Sequence, residues 1–328
     1  MRSPKPAVVL ACIAMLAVAC GEALGQHAEA PVEAAGPTGT LKGTMLGPSA
    51  GSPGPVMLII PGSGPTDRDG NQPPRLRAAP YRLLAEGLAE RGIVTVRIDK
   101  RGMFASAAAA ADANNVTIAG FADDAKAWTA MLRRRTGAPC IWIAGHSEGA
   151  LVALVAAQSD PNACGLVLIA APGRRISEVL REQITSSPAL APMRDDALTV
   201  IAELEAGRRV KVDALHPTLQ QLFYPGVQDF LISLYSYDPV ALLGAYPGPV
   251  LVLHGTHDLQ VSQDDATALR TARSGVAYVG LPGVNHVLKA VPANDRQANI
   301  AAYADPDLPL APGVVDAIAD FVRAQPPD

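Results

Sequence analysis

Cys140-Ile141-Trp142-Ile143-Ala144-Gly145-His146-Ser147-Glu148-Gly149-Ala150-Leu151-Val152-Ala153-Leu154 is the stretch whose reading decides the rest of this chain. Its first five residues form an apolar run of strand type, and its last five favour a helix. Between them stands a serine with a glycine two residues away on either side. A strand that turns sharply into a helix lifts the Ser147 hydroxyl clear of the backbone. Gly145 and Gly149 suit a turn that leaves no room for Cβ atoms. At the start of the helix, the Glu148 N–H can stabilise negative charge on an oxygen. Ser147 is therefore the candidate nucleophile. The competing reading is a serine that only caps a helix.

Outward from this stretch, short apolar runs recur at Val56–Ile60, Ile93–Ile98, Leu166–Ala170, Val250–Leu253 and Val276–Leu281. They are mostly unalternating, as in strands buried on both faces of a parallel sheet. Helical patterns such as Tyr81–Arg91 and Phe121–Arg135 fall between them, so the expected fold is a mostly parallel, doubly wound α/β sheet. Thr40–Leu46 reads as an antiparallel edge strand with no clear partner upstream. The Ala-rich patch Ala105–Ala113 reads as a helix or loop near the sheet edge. Over residues 173–249 no strand pattern is convincing, and an insertion of that length needs structure of its own. A helical cap is expected there, with the aromatics around Phe223, Tyr224, Tyr235 and Tyr237 mainly joining it to the core. The cap is also expected to govern what the site attacks. The core is thus assigned to residues 40–172 and 250–328, preceded by a flexible lead-in over 26–39.

A serine hydroxyl needs a base, and the base needs an orienting acid. Beyond Ser147 the expected order is acid and then histidine, each just after a later strand. Asp258 follows the run Val250–Leu253, and His286 follows Val276–Leu281 through Pro282-Gly283-Val284-Asn285. These two complete a candidate triad, with Asp238 as the alternative acid. Of the other histidines, His27 lies in the lead-in, His146 at the turn's variable position and His216 in the cap. His254 ends a strand, and His257 is too close to Asp258 in the chain to bridge to Ser147. A second oxyanion donor is expected from the turn Gly62-Ser63-Gly64-Pro65, from Ser63 first and Gly64 as the alternative. Asp67, Arg68 and Asp69 either line the pocket or form a salt-bridged loop. No metal or organic cofactor is expected.

The chain has 328 residues, 49% hydrophobic and 18% charged, with a formal net charge of -4. That balance describes a folded protein and offers no basic stripe for nucleic acid. Arg2 and Lys5 precede an apolar run, Ala7–Ala19, too short to span a bilayer comfortably. Residues 1–25 therefore read as an export signal, and a periplasmic or secreted location is expected. Cleavage before Gln26 releases a soluble protein. Cleavage before Cys20, within Leu16-Ala17-Val18-Ala19-Cys20, leaves a lipidated cysteine and the only expected route to a membrane.

The run Gly62-Ser63-Gly64-Pro65-Thr66-Asp67-Arg68-Asp69-Gly70-Asn71, the run Asp99-Lys100-Arg101-Gly102, the Ser147 motif and Asn285-His286-Val287-Leu288-Lys289 occur in this order. Together they resemble the bacterial α/β-hydrolases grouped with serine aminopeptidase-like and esterase proteins. One departure is Phe104, where that group usually has glycine. The resemblance implies hydrolysis of a carboxylic ester by an acyl-enzyme route, in a carboxylesterase-like manner, on a small acyl ester or short peptide. A peptidase or amidase, an acyltransferase and a non-catalytic exported binding protein are the alternatives. In this fold the strands that follow Cys140 and Cys164 are neighbours, which brings these cysteines within disulfide range. A bond between them and two buried thiols both stay open.

Overall fold

The computed structural model describes residues 29–48 and 54–325. The export signal, both candidate cleavage sites, Cys20 and His27 lie outside the described residues. In chain order the elements begin with strands β1 (Glu29–Ala35), β2 (Thr40–Leu46) and β3 (Val56–Ile60), then helix α1 (Pro80–Glu90) and β4 (Val94–Ile98). They continue with α2 (Ile118–Thr136), β5 (Ile141–His146), α3 (Glu148–Ala157) and β6 (Ala163–Ile169). Five helices follow: α4 (Ile176–Ser186), α5 (Arg194–Glu205), α6 (Pro217–Leu222), α7 (Gln228–Tyr235) and α8 (Pro239–Ala245). The chain closes with β7 (Val250–Gly255), α9 (Gln263–Thr271), β8 (Val276–Leu281), α10 (Arg296–Ala301) and α11 (Val314–Ala324).

The eight strands form one sheet in the order β1-β2-β4-β3-β5-β6-β7-β8. The pairs β1–β2 and β2–β4 are antiparallel, and every other pair is parallel. Strands β3, β4, β5 and β7 are buried at every position. That explains their unbroken apolar runs, because helices cover both faces. On one face Leu84, Leu88, Ile318 and Val322 from α1 and α11 pack against Met57, Ile59 and Trp142. On the other, Trp128 and Leu132 of α2 and Leu151 and Leu154 of α3 join Leu58, Ile143 and Leu166.

The flexible lead-in expected over 26–39 is, from Glu29 on, a strand. β1 pairs with β2 from Glu29↔Leu46 to Ala35↔Thr40, giving β2 the upstream partner that its sequence context did not reveal. Val32 and Ala34 point inward while Glu29, Pro31 and Glu33 face solvent. A strand at the edge of a sheet needs only this half-buried alternation, so its composition looks like that of a loop.

Between β6 and β7 the described chain holds helices and no strand. Phe223 and Tyr235 are fully buried in the same apolar cluster as α2 and α3, which fastens these helices to the core, while Tyr224 is exposed. The Ala-rich patch begins with a 3-10 turn, Phe104–Ala109. Phe104 keeps the left-handed backbone, at φ 46°, that a glycine would adopt freely.

Candidate active site

β5 and β6 run parallel, and the chain leaves β5 through the turn at Ser147. Ser147 has φ 54° and ψ -120°, a left-handed conformation rare outside glycine. Its N–H is fixed by the Ile169 carbonyl at 2.9 Å. A Cβ on Gly145 would lie 2.2 Å from the Gly149 carbonyl oxygen, and one on Gly149 would lie 2.4 Å from that of Ile60. Both glycines are therefore dictated by backbone crowding. The Ser147 side chain makes no capping bond to α3, which removes the reading of it as a helix cap.

His286 and Asp258 come from the loops after β8 and β7. The imidazole Nδ1 donates to the Asp258 carboxylate Oδ2 at 2.7 Å, which leaves Nε2 free to take a proton. Asp258 also accepts the N–H groups of Gln260 at 2.7 Å and Val261 at 3.0 Å. Burial alone would raise its pKa. The His286 charge and these hydrogen bonds together outweigh burial and hold the carboxyl below its ordinary range. Asn285 and Asn299 tie the two loops together: Asn285 Nδ2 donates to Asn299 Oδ1 at 3.3 Å, and Asn299 Nδ2 to the His257 carbonyl at 2.7 Å.

Ser147, His286, Ser63 and Gly62 share one cavity of about 210 Å³, completed by Thr66, Gln72, Leu76, Tyr81, Gln260, Val287 and Tyr303 among others. Ser63 lines it and Gly64 does not. The N–H of Gly62 is already engaged by the Tyr81 hydroxyl at 3.0 Å.

That hydroxyl begins a buried chain of hydrogen bonds. Having accepted from Gly62, Tyr81 Oη donates its own proton to His146 Nδ1 at 2.9 Å. His146 must then carry its proton on Nε2, which donates to the His286 carbonyl at 2.8 Å. Burial, with help from the neighbouring His286 charge, pushes the His146 pKa down to about 3, so this histidine stays neutral. The turn at Gly62, the turn at Ser147 and the loop of His286 are thereby fastened to one another. The sequence marked His146 only as a variable position, and Tyr81 carried no signal beyond a helix start.

Other expectations fare differently. Asp67, Arg68 and Asp69 do not line this cavity. Asp69 is drawn to Arg97, whose guanidinium is buried in β4 and also holds Glu29 of β1. Arg68 pairs with the buried Asp99 at 2.5 Å, and Asp67 accepts the N–H groups of Asp69 and Asn71. The cluster is a salt-bridged loop, because two buried partners in β4 and the loop after it demand its charges. Asp238 caps α8 through the N–H groups of Val240 and Ala241, so it is not the acid. His216 likewise caps α6, and His257 reaches the Val291 carbonyl at 3.3 Å. No residue of 173–249 lines this cavity. A cavity of about 190 Å³ beside it does involve α4, through Val179, Glu182 and Gln183, and meets the first at Gln260. Cys140 and Cys164 are bonded, with Cα atoms 5.0 Å apart. Among the described residues no cluster of three or more potential metal ligands occurs.

A family profile described as "Serine aminopeptidase, S33" matches residues 77–212. The esterase EstD of Thermotoga maritima is 25% identical over 254 residues, or 76% of this chain, and the aligned part spans only 58% of that relative. Among solved structures, Est1E from Butyrivibrio proteoclasticus aligns with TM-score 0.56 at 15% identity, covering 90% of this chain and 98% of its own. The α/β hydrolase GrgF from Penicillium sp. sh18 aligns with TM-score 0.57 at 18% identity, covering 91% and 99%. The likeness to these solved structures gives the chain the α/β-hydrolase fold, and part of its sequence is similar to serine aminopeptidase-like and esterase proteins.

Proposed function

We propose that this chain is an exported serine esterase acting through Ser147, His286 and Asp258. The observation that carries the reading is one cavity lined both by a serine on a strained turn and by a histidine hydrogen-bonded to a buried carboxylate. Ser147 Oγ attacks the ester carbonyl as His286 Nε2 takes its proton, and Asp258 stabilises the resulting imidazolium. The oxyanion forms against the Ser63 and Glu148 N–H groups. Collapse breaks the bond to the alcohol, which leaves with the proton from His286. Water then attacks the acyl-serine with His286 as base, and the acid departs as Ser147 regains its proton.

A cavity of about 210 Å³ suits a short acyl or alcohol group, and its wall mixes Leu76, Pro80 and Val287 with the neutral polar Thr66, Gln72 and Gln260. The test is labelling by a fluorophosphonate together with turnover of a short acyl ester. Ser147→Ala is expected to abolish both in a folded protein, and an unlabelled wild type sinks the reading. The serine aminopeptidase profile supports one rival, a peptidase using the same residues. Matched ester and amide substrates separate the two, because the amine leaving group demands stronger acid catalysis. Export is supported by the basic and apolar start of the chain and by the Cys140–Cys164 bond, which suits an oxidising compartment. N-terminal sequencing of mature protein, starting at Gln26 or at a lipidated Cys20, tests it.

A further inference from the structure

Lys100 and Glu148 form a buried ion pair that none of the proton transfers uses. Lys100 lies in the loop after β4 and Glu148 begins α3. Their charged atoms are 3.4 Å apart, and both side chains are sealed from solvent. The closer contact of Lys100 lies elsewhere: its Nζ donates to the Gly62 carbonyl at 2.7 Å. That carbonyl shares one planar peptide unit with the Ser63 N–H. In a trans peptide the two groups point in opposite directions, so fixing the carbonyl on one side aims the N–H to the other.

We propose that Lys100 is a positioning residue that orients the Gly62–Ser63 peptide, and so aims and polarises the Ser63 N–H that receives the oxyanion. The inference rests on the esterase reading of the site. Its physical basis is that this turn cannot hold the peptide by itself. Gly62 has no side chain, a Cβ there would crowd His146 Nδ1 at 3.2 Å, and Gly64 sits at φ 69°. A peptide between such residues rotates easily. Tyr81 fixes the peptide before Gly62 and Lys100 fixes the one after it. A cation on the carbonyl also withdraws electron density through the amide, which strengthens its N–H as a donor. A lone buried ammonium would be costly, and Glu148 balances it while the Phe121 ring lies 5.6 Å from Nζ. Because the Glu148 main chain is the second oxyanion donor, one lysine links both halves of the oxyanion site.

The experiment compares wild type with Lys100→Met and with Lys100→Met/Glu148→Gln. Lys100→Met alone strands a buried carboxylate and is at risk of misfolding. The double variant removes both charges, an exchange that folded proteins usually tolerate. Turnover of a short acyl ester is measured beside inhibition by a trifluoromethyl ketone, which Ser147 converts to a hemiketal oxyanion. In the folded double variant kcat is expected to fall about 10- to 100-fold, with ketone affinity weakened by a similar factor, while KM stays within about twofold. Wild-type kcat and ketone affinity in that variant overturn the proposal, since the pair is then only structural. A fall in kcat with unchanged ketone affinity also overturns it. Failure of a fluorophosphonate to label the wild-type protein is a different outcome, and removes the esterase reading itself.

Discussion

β5 and β6 are held together by different means at their two ends. At the amino ends the Cys140–Cys164 bond closes them covalently, beside a cavity of about 410 Å³ lined by Trp142, Val322 and Arg323. At the carboxyl ends the Ser147 N–H meets the Ile169 carbonyl of β6 at 2.9 Å, and the smaller cavity there is framed by hydrogen bonds from Gly62 through Tyr81 and His146 to His286. Among the described residues the larger hollow is lined by no histidine, serine or carboxylate. Size therefore says little about chemistry here. On the proposed function, stability and catalysis are divided between opposite ends of the same strands, so perturbing one end is expected to leave the other largely intact.

The sharpest way to break this division is at the carboxyl end. Asp258→Asn keeps the shape but cannot hold His286 in the right tautomer, and kcat is expected to fall by about 10⁴-fold, with the urea midpoint much less affected. A large loss of folding stability with modest loss of kcat would contradict the division. Next in size is the amino end. Replacing both Cys140 and Cys164 with Ser is expected to cost roughly 3 kcal/mol of unfolding free energy on the chain-entropy estimate, while kcat and KM at 25 °C stay as in wild type.

A smaller effect comes from acid. Burial holds His146 neutral down to about pH 3 in the folded protein, against about 6.5 for a free imidazole side chain. Between these values the unfolded chain binds the extra proton, so its contribution is complete above pH 6.5 and is lost as pH falls. The slope is about 1.4 kcal/mol per pH unit. Urea titrations of wild type and His146→Gln at pH 7 and pH 5 should show the wild type losing more, by roughly 2 kcal/mol; parallel losses would remove His146 as the cause. The smallest effect lies away from both ends. Phe104→Gly is expected to raise stability by about 1 kcal/mol, by relieving the left-handed backbone, with no change in turnover.

How much of this was legible in the sequence depended on whether a residue's neighbours in space were also its neighbours in the chain. The turn at Ser147 could be read because its strand, glycines and helix are contiguous. The order of Asp258 and His286 followed from strands that announce themselves by apolar runs. β1 escaped because an edge strand needs only two buried residues, Val32 and Ala34. The wall residues Gln260 and Tyr303 meet across 43 positions, through a 3.2 Å hydrogen bond that neither neutral side chain advertises. The charges of Asp67, Arg68 and Asp69 were visible, but their direction depended on Arg97 and Asp99, buried beneath them. Lys100 was noticed within a motif; its partner, a backbone carbonyl, leaves no trace in the identity of residue 62.

The bond from Tyr81 to His146 also bears on how related chains can vary. Position 146 is written as a free letter in the serine motif, yet here its ring must accept on one nitrogen and donate on the other. A natural variant with phenylalanine at position 81 would strand Nδ1 of His146 and the N–H of Gly62 at once. Substitutions at 62, 81 and 146 should therefore be inherited as a set, and an alignment of related chains should show them changing together rather than one at a time.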